Sequence, residues 1–116
     1  MTSRSSGGAY RLSGGQCPLD AGGVLVGPGD FGAQVDQVVA NTVIALGSAG
    51  AGPEHVVRTV IYVVSADRDV LAEVWRRFRA SPLAPAFTTA STLLGVAQLG
   101  FPGQLVELDV TAALPA

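Results

Sequence analysis

The sharpest hydrophobic pattern in the chain lies near its carboxyl end. Apolar Val106, Leu108 and Val110 alternate there with the acids Glu107 and Asp109. Successive side chains of a β-strand point to opposite faces of a sheet, so this alternation predicts a strand that is apolar on one face and carries two carboxylates on the other. Acids in this arrangement either form a solvated face or lie at a surface shared between subunits.

Another strand is predicted immediately before this one, in residues 90–100, where apolar and small residues alternate. A Gly-Phe-Pro-Gly sequence separates it from the strand in residues 104–112. Glycine and proline are the residues that most strongly mark turns between strands. We therefore predict that these two strands pair with each other as a hairpin.

Two helices are predicted upstream. From residue 31 onward apolar residues recur every three or four positions, as they do on the buried face of a helix, and Asp30 is placed to cap its first turn. A similar apolar stripe, capped by Ser65 or Asp67, predicts a second helix that ends before Pro82.

The β-branched residues of segment 56–64 predict the strongest strand, and residues 10–15 and 24–26 predict a first strand and a short one. This order of elements indicates an α+β fold, in which both helices cover one face of a single sheet. The other face of that sheet is predicted to stay open.

Residues 27–32 match the G-x-G-x-x-G pattern of dinucleotide-binding loops. Pro28 removes one of the backbone N–H groups that such a loop offers to a phosphate, and 116 residues are too few for the paired βαβ halves of a dinucleotide-binding sheet. We therefore interpret the segment as a turn and predict no cofactor. The single histidine, His55, has no nucleophile motif beside it and is interpreted as a surface residue.

The length of the chain indicates one domain, in residues 10–116. The Ser- and Gly-rich residues 1–9 are predicted to form a flexible leader. Only 14% of the residues are charged, while 48% are hydrophobic. This is a low charge for a surface that is wholly exposed to water, so part of the surface is predicted to be buried between subunits.

Charge and cysteine content narrow the class of protein. The net charge of −2 and the lack of lysine leave no basic stripe for a nucleic-acid backbone. A cluster of basic residues, Arg76, Arg77 and Arg79, is interpreted as a solvated helix face. Within it Glu73 is predicted to pair with Arg77. The single cysteine, Cys17, can form neither an internal disulfide nor, alone, a zinc site.

No stretch of the chain approaches the roughly 20 consecutive apolar residues that a membrane-spanning helix needs. The first residues also lack the apolar core of a secretory signal. No membrane partner is therefore predicted, and the protein is expected to be cytoplasmic.

Two segments near the carboxyl end, GVAQLG at residues 95–100 and LVELDVTA at residues 105–112, resemble the closing signature of the Rid family, also called YjgF or endoribonuclease L-PSP. Upstream, the segments GGQCPLD, GD-x-x-AQ-x-x-Q-x-x-x-N and VVRTVIYV follow in the order and spacing of the family. The resemblance covers residues 10–112. It implies a chorismate-mutase-like mixed sheet with two helices on one face, assembled as a homotrimer around a barrel-like centre, with small-molecule clefts between subunits.

The resemblance also implies a chemistry. Active Rid proteins hold the carboxylate of a 2-imino acid, or of its enamine, with an arginine while water attacks the imine carbon. Alignment on the closing signature places the position of that arginine at Ser91, and a small or sulfur-bearing position at Leu93. The asparagine that the family often carries on its second helix falls at Ala72. All three residues are neutral in this chain.

The frame of a cleft is still present. It consists of Gly15 and Gln16, whose backbone can approach a ligand closely, of Cys17 beside them, and of Glu107, which matches the acidic residue on the last strand of the family. Glu107 can orient or deprotonate a water molecule, or it can make a contact across a trimer interface. Cys17 has no basic partner nearby in the sequence and is interpreted as an inert thiol.

Three functions follow from this pattern. The first is a homotrimer that acts on a small imine, enamine or related carbonyl compound, with a substrate that offers no carboxylate to an arginine. The second is a trimer that binds a metabolite or serves as a pathway accessory without turnover. The third, endoribonuclease activity, is disfavoured by the acidic pI of about 5.1 and the missing basic stripe.

Overall fold

Four strands form one mixed sheet in the computed structural model, which describes residues 10–114. They are β1 (Tyr10–Gln16), β2 (Val56–Val64), β3 (Ala90–Val96) and β4 (Val106–Leu114). Their order across the sheet is β1-β4-β2-β3; β4 is antiparallel to both of its neighbours, and β3 is parallel to β2. The predicted leader, residues 1–9, lies outside the described residues.

Two helices, α1 (Phe31–Ser48) and α2 (Arg68–Arg79), pack on one face of this sheet, which confirms the predicted α+β fold. The Asp30 side chain accepts from the N–H of Ala33 and caps α1, as predicted. Asp67 is the cap of α2 and accepts from the N–H of Asp69. Short 3-10 turns, Pro53–His55 and Ala84–Thr88, lead into β2 and β3.

The predicted hairpin is wrong, because β3 and β4 are not neighbours in the sheet. Strand β2 lies between them, so the loop at residues 97–105 crosses the end of β2 before the chain returns in β4. Alternation identifies a strand but not its partner, and a parallel strand joined to β2 through a helix has the same pattern as a hairpin arm. The predicted strand at residues 24–26 is also wrong, since only an isolated bridge joins Leu19 and Leu25 there.

The two helices are joined by a charge pair that differs from the predicted one. Arg77 donates to both oxygens of Asp36 on α1, at 2.9 and 2.7 Å. Glu73 pairs instead with Arg76, its neighbour three positions on. The hydrogen bonds from the Arg77 guanidinium hold the pKa of Asp36 below its usual range. The Arg77 guanidinium also lies against Gly32. A Cβ atom at position 32 would be 3.1 Å from Cζ of Arg77 and would crowd the guanidinium.

The two faces of the sheet differ as the alternation in β4 predicts. Toward the helices, Val106, Leu108 and Val110 are at most 3% exposed and join the hydrophobic core. Glu107 and Asp109 are half-buried on the open face. The register of the strands places a row of residues across that face, with Glu107 opposite Tyr62 and Tyr62 opposite Leu94.

A buried glutamine on α1 ties this framework to two loops. Gln34 is 0% exposed. Its side-chain amide donates to the carbonyl oxygens of Gly27 and Gly103, at 3.1 and 2.9 Å. Its own oxygen accepts from the N–H of Leu105 at 2.7 Å. One side chain therefore satisfies three backbone groups and fixes both loops against α1.

We expect Gln34→Leu to lower the free energy of unfolding by about 2–4 kcal/mol, because three backbone groups lose this partner in a buried site. Urea denaturation at one protein concentration measures the loss. The control is Gln37→Leu on the same helix. Within residues 10–114 the Gln37 side chain donates to Asn41 alone, so this substitution should cost less than about 1 kcal/mol. Equal losses in the two variants would contradict this role for Gln34.

Candidate functional site

Glu107 stands near the start of β4, on the open face of the sheet, where β4 adjoins the end of β1. Its Oε1 lies 3.6 Å from Sγ of Cys17, whose thiol donates, and 3.4 Å from Nε2 of Gln104. Gln104 is only 3% exposed, whereas Cys17 and Glu107 are half-buried. One oxygen of the carboxylate thus faces two donors.

The second oxygen lies over Gly15. A Cβ atom on Gly15 would be 2.7 Å from Oε2 of Glu107, closer than a Cβ atom approaches an oxygen to which it is not bonded. A side chain at position 15 would therefore displace the end of the Glu107 side chain from its place against β1. The structure thus brings Gly15, Cys17 and Glu107 together. Gln16 is in register with the buried Leu108, so alternation directs its side chain to the helix face and leaves its backbone beside the site.

Ser91 and Leu93 lie apart from Glu107 in the folded chain. Both are on β3, at the edge of the sheet, and their register with Thr59 and Ile61 places them on the helix face. The Ser91 hydroxyl accepts from Thr59 at 2.7 Å, and Leu93 packs against the core. Glu107 is on the opposite face with β2 between, so one chain does not bring these residues together with it.

Gly15, Cys17, Gln104 and Glu107 form one cluster, and the surroundings of Cys17 in this cluster disfavour ionisation of its thiol. Burial raises the pKa of this thiol, and the negative charge of Glu107 raises it further. The hydrogen bond to the Glu107 carboxylate also raises this pKa, and contact with the Gln104 amide lowers it. A thiolate is the reactive form of cysteine, so the direction of the shift supports the interpretation of Cys17 as an inert thiol.

Polar residues of α1 hold the segment that carries Cys17. The side-chain amide of Asn41 donates to the carbonyl oxygens of Cys17 and Leu19, at 3.0 and 2.9 Å. Gln37 in turn donates to the side-chain oxygen of Asn41 at 2.9 Å. The sequence motif includes Gln37 and Asn41, but it does not indicate which groups they contact. Sequence reasoning missed Gln104 altogether, because the only signal was an amide between a turn and a strand.

The remaining candidates have structural roles. His55 accepts from the N–H of Gly52 through Nδ1, at 2.9 Å. In the G-x-G-x-x-G segment, Gly27 and Gly29 have φ angles of 51° and 78° and form the turn before α1. Residues 10–114 contain no cluster of three or more metal-ligating side chains. None of the helices in this range has the length and apolarity to cross a membrane.

A cavity of about 580 Å³ adjoins the cluster. It lies beneath the loop at residues 97–105 and includes Val64, Phe101 and Gln104 in its wall. A separate groove of about 530 Å³ runs between α1 and α2, on the other side of the sheet from Glu107. Of these two, the cavity beneath the loop shares Gln104 with the hydrogen-bond network around Glu107, and the groove shares no residue with it.

Comparison with known proteins identifies the family of the chain. Residues 7–114 match the family model described as endoribonuclease L-PSP. The chain therefore belongs to the endoribonuclease L-PSP family, also called the Rid or YjgF family, which confirms the resemblance. Comparison with curated protein sequences gives no match.

Solved structures of the family have the same fold. YyfB from Yersinia pestis, a Rid-family protein of unknown function, is 38% identical with a TM-score of 0.81, over 90% of this chain and 78% of that one. A YjgF/YER057c/UK114 family member from Mycobacterium tuberculosis is 29% identical with a TM-score of 0.68, over 87% and 75% of the two chains. A putative endoribonuclease from Thermotoga maritima, 23% identical with a TM-score of 0.75 over 89% and 77%, shows the fold alone.

The Glu107→Gln variant should lower the pKa of Cys17, because it removes the negative charge that disfavours the thiolate while the burial of the thiol remains. The rate of Cys17 alkylation as a function of pH measures this pKa. Asp109→Asn is the control, since Asp109 is the next acid on the same strand face and does not contribute to the shift. A Cys17 profile that is unchanged in Glu107→Gln would contradict the contact.

Proposed function

We propose that this protein acts on a small reactive imine or enamine, or a related carbonyl compound, in clefts between the subunits of a homotrimer. The observation that carries the proposal is the Glu107 carboxylate, held at one oxygen by Cys17 and Gln104 while the other lies over Gly15 on the open face. Membership of the Rid family supports the choice of substrate class.

The proposed reaction is hydrolysis of a carbon–nitrogen double bond. Glu107 orients a water molecule and takes a proton from it as the water oxygen attacks the imine carbon. The carboxyl group returns this proton to the nitrogen, which gives a carbinolamine. The carboxylate of Glu107 then moves the proton of the new hydroxyl group to the nitrogen as the carbon–nitrogen bond breaks, so ammonia leaves and the carbonyl forms. A carboxylate with one oxygen fixed and one open to the cleft has the geometry for this transfer.

The placement of Ser91 supports a site made by two subunits. Ser91 and Glu107 lie on opposite faces of the sheet in one chain, so a cleft that includes both positions takes Glu107 from one copy and Ser91 from another. The open face also carries exposed Leu94 beside half-buried Tyr62. Apolar side chains on an uncovered sheet face favour burial against another surface.

The chemistry around Ser91 supports a substrate without a carboxylate. The hydroxyl is neutral and is already hydrogen-bonded to Thr59, and neighbouring Leu93 is apolar. An arginine holds a carboxylate through two charge-assisted hydrogen bonds, which a serine cannot replace. Endoribonuclease activity is not proposed, because the net charge of −2 and the lack of lysine leave no basic stripe for a nucleic-acid backbone. The cluster of Arg76, Arg77 and Arg79 lies on α2, across the sheet from Glu107.

We expect the natural protein to hydrolyse 2-iminopropionate poorly, and Ser91→Arg combined with Leu93→Cys to raise kcat/KM by at least about tenfold. The charge-assisted contact that the arginine restores is worth on the order of 2–3 kcal/mol. Release of ammonia from the imine, generated in the assay by an amino-acid oxidase, measures the rate. Ser48→Arg, at the exposed end of α1, is the control for added charge.

A fast reaction of the natural protein with 2-iminopropionate would contradict the assigned role of Ser91. The proposed hydrolysis itself is tested with neutral imines and enamines, which carry no carboxylate. Hydrolysis of a neutral imine that is lost in Glu107→Gln supports enzymatic function. Binding of such compounds without release of ammonia supports a metabolite-binding protein instead.

Light scattering should give a mass near three times the 11.7 kDa of the chain. Leu94→Glu should shift this mass toward the monomer, because it places a charge on the open face at a side chain that is 43% exposed in the single chain. Ile44→Glu is the control, since Ile44 is 67% exposed on α1, away from that face. A monomeric natural protein would contradict the trimer and the cleft between subunits.

A further inference from the structure

We propose that Gln104 is a positioning residue, which holds Oε1 of Glu107 so that Oε2, above Gly15, is the oxygen that meets water or ligand. The inference rests on the proposed function, because it assigns separate roles to the two oxygens of the carboxylate used there. It also extends that function to a residue that lies outside the motifs of the sequence analysis.

The orientation of the Gln104 amide is determined by its partners. Its oxygen accepts from the N–H of Phe101 at 3.2 Å, and its nitrogen donates to the carbonyl oxygen of Val106 at 3.1 Å and to Oε1 of Glu107 at 3.4 Å. One donor and two acceptors surround the side chain, so the reversed amide would leave all three contacts unmatched. Because Gln104 is 3% exposed, such a reversal would be costly.

The two oxygens of Glu107 are therefore not equivalent. Oε1 is occupied by Gln104 and by the Cys17 thiol. Among residues 10–114 no hydrogen-bond donor contacts Oε2, which lies in the space that a Cβ atom on Gly15 would occupy. An ionised carboxylate oxygen accepts hydrogen bonds readily, so Oε2 is the oxygen available to orient a water molecule.

The position of Gln104 is in turn supported by α1. Gln34 holds the loop through Gly103 and Leu105, the residues on either side of Gln104. The backbone N–H of Gln104 also donates to the carbonyl oxygen of Phe101 at 3.0 Å, which closes the turn. Hydrogen bonds from Gln34 to the backbone on either side of Gln104, and from Gln104 to Glu107, thus connect helix α1 to the carboxylate on the open face.

The first test is Gly15→Ala against Gly14→Ala. A Cβ on Gly15 would be 2.7 Å from Oε2, whereas a Cβ on Gly14 meets nothing within 4 Å. We expect Gly15→Ala to lower kcat on a neutral imine by about a hundredfold, the effect of displacing a reacting group by about 1 Å, with a smaller change in KM. Gly14→Ala should stay within about twofold of the natural protein. Equal activities of the two variants would overturn the role of Oε2.

The second test is Gln104→Met, which keeps the length of the side chain and removes its amide. It should lower kcat by about tenfold or more, because the carboxylate loses its fixed orientation. It should also raise the pKa of Cys17, since the amide contact that lowers this pKa is gone. If Gln104→Met has the same alkylation profile for Cys17 and the same kcat as the natural protein, the role of Gln104 is overturned.

The alkylation profile separates this inference from the proposed function. If the natural protein hydrolyses no imine but Gln104→Met raises the pKa of Cys17, the proposed reaction is wrong, while the contacts of Gln104 with Glu107 and Cys17 are supported. If the natural protein is active and Gln104→Met changes neither the profile nor kcat, the reaction stands and the inference fails. Should Gln104→Met not fold, Gly15→Ala and Gly14→Ala decide the question, since both glycines lie on one strand with ordinary φ angles.

Discussion

The arrangement of the site depends on the buried amide of Gln34. This side chain lies between α1 and the loops at Gly27 and Gly103, and it is the hydrogen-bond partner of three backbone groups in these loops. The loop at residues 97–105 connects the edge strand β3 to the central strand β4 across the end of β2. It is not part of a strand, so hydrogen bonds between strands do not fix its position. Gln34 supplies that constraint, and Gln104 transmits it to Glu107.

The second constraint is the two-sided character of the sheet. One face is covered by α1 and α2 and holds the apolar core. The other face presents half-buried Glu107 and Asp109 beside exposed Leu94, and it has no helix over it within the part of the chain that the structure describes. A chain with only 14% charged residues has little polar surface to keep such a face in water, which favours its burial by further copies.

Much of the fold was predictable because it depends on local rules. Alternation identified the buried side of β4, and the Asp30 cap marked the start of α1. The pairing of β3 was not predictable from alternation, since a period of two carries no information about the partner strand. Gln104 was missed for a related reason. An isolated amide becomes meaningful only when folding places it between Phe101 and Glu107.

A crystal structure of the assembled protein is the most direct test of the account. The central claim is that Glu107 and Gly15 of one copy face the β3 edge of a neighbouring copy, across a cleft that the open sheet faces create together. The account predicts three copies with these faces toward a common centre and Ser91 of a neighbour beside Glu107. Open faces left in solvent, or copies joined through α1 and α2, would contradict it.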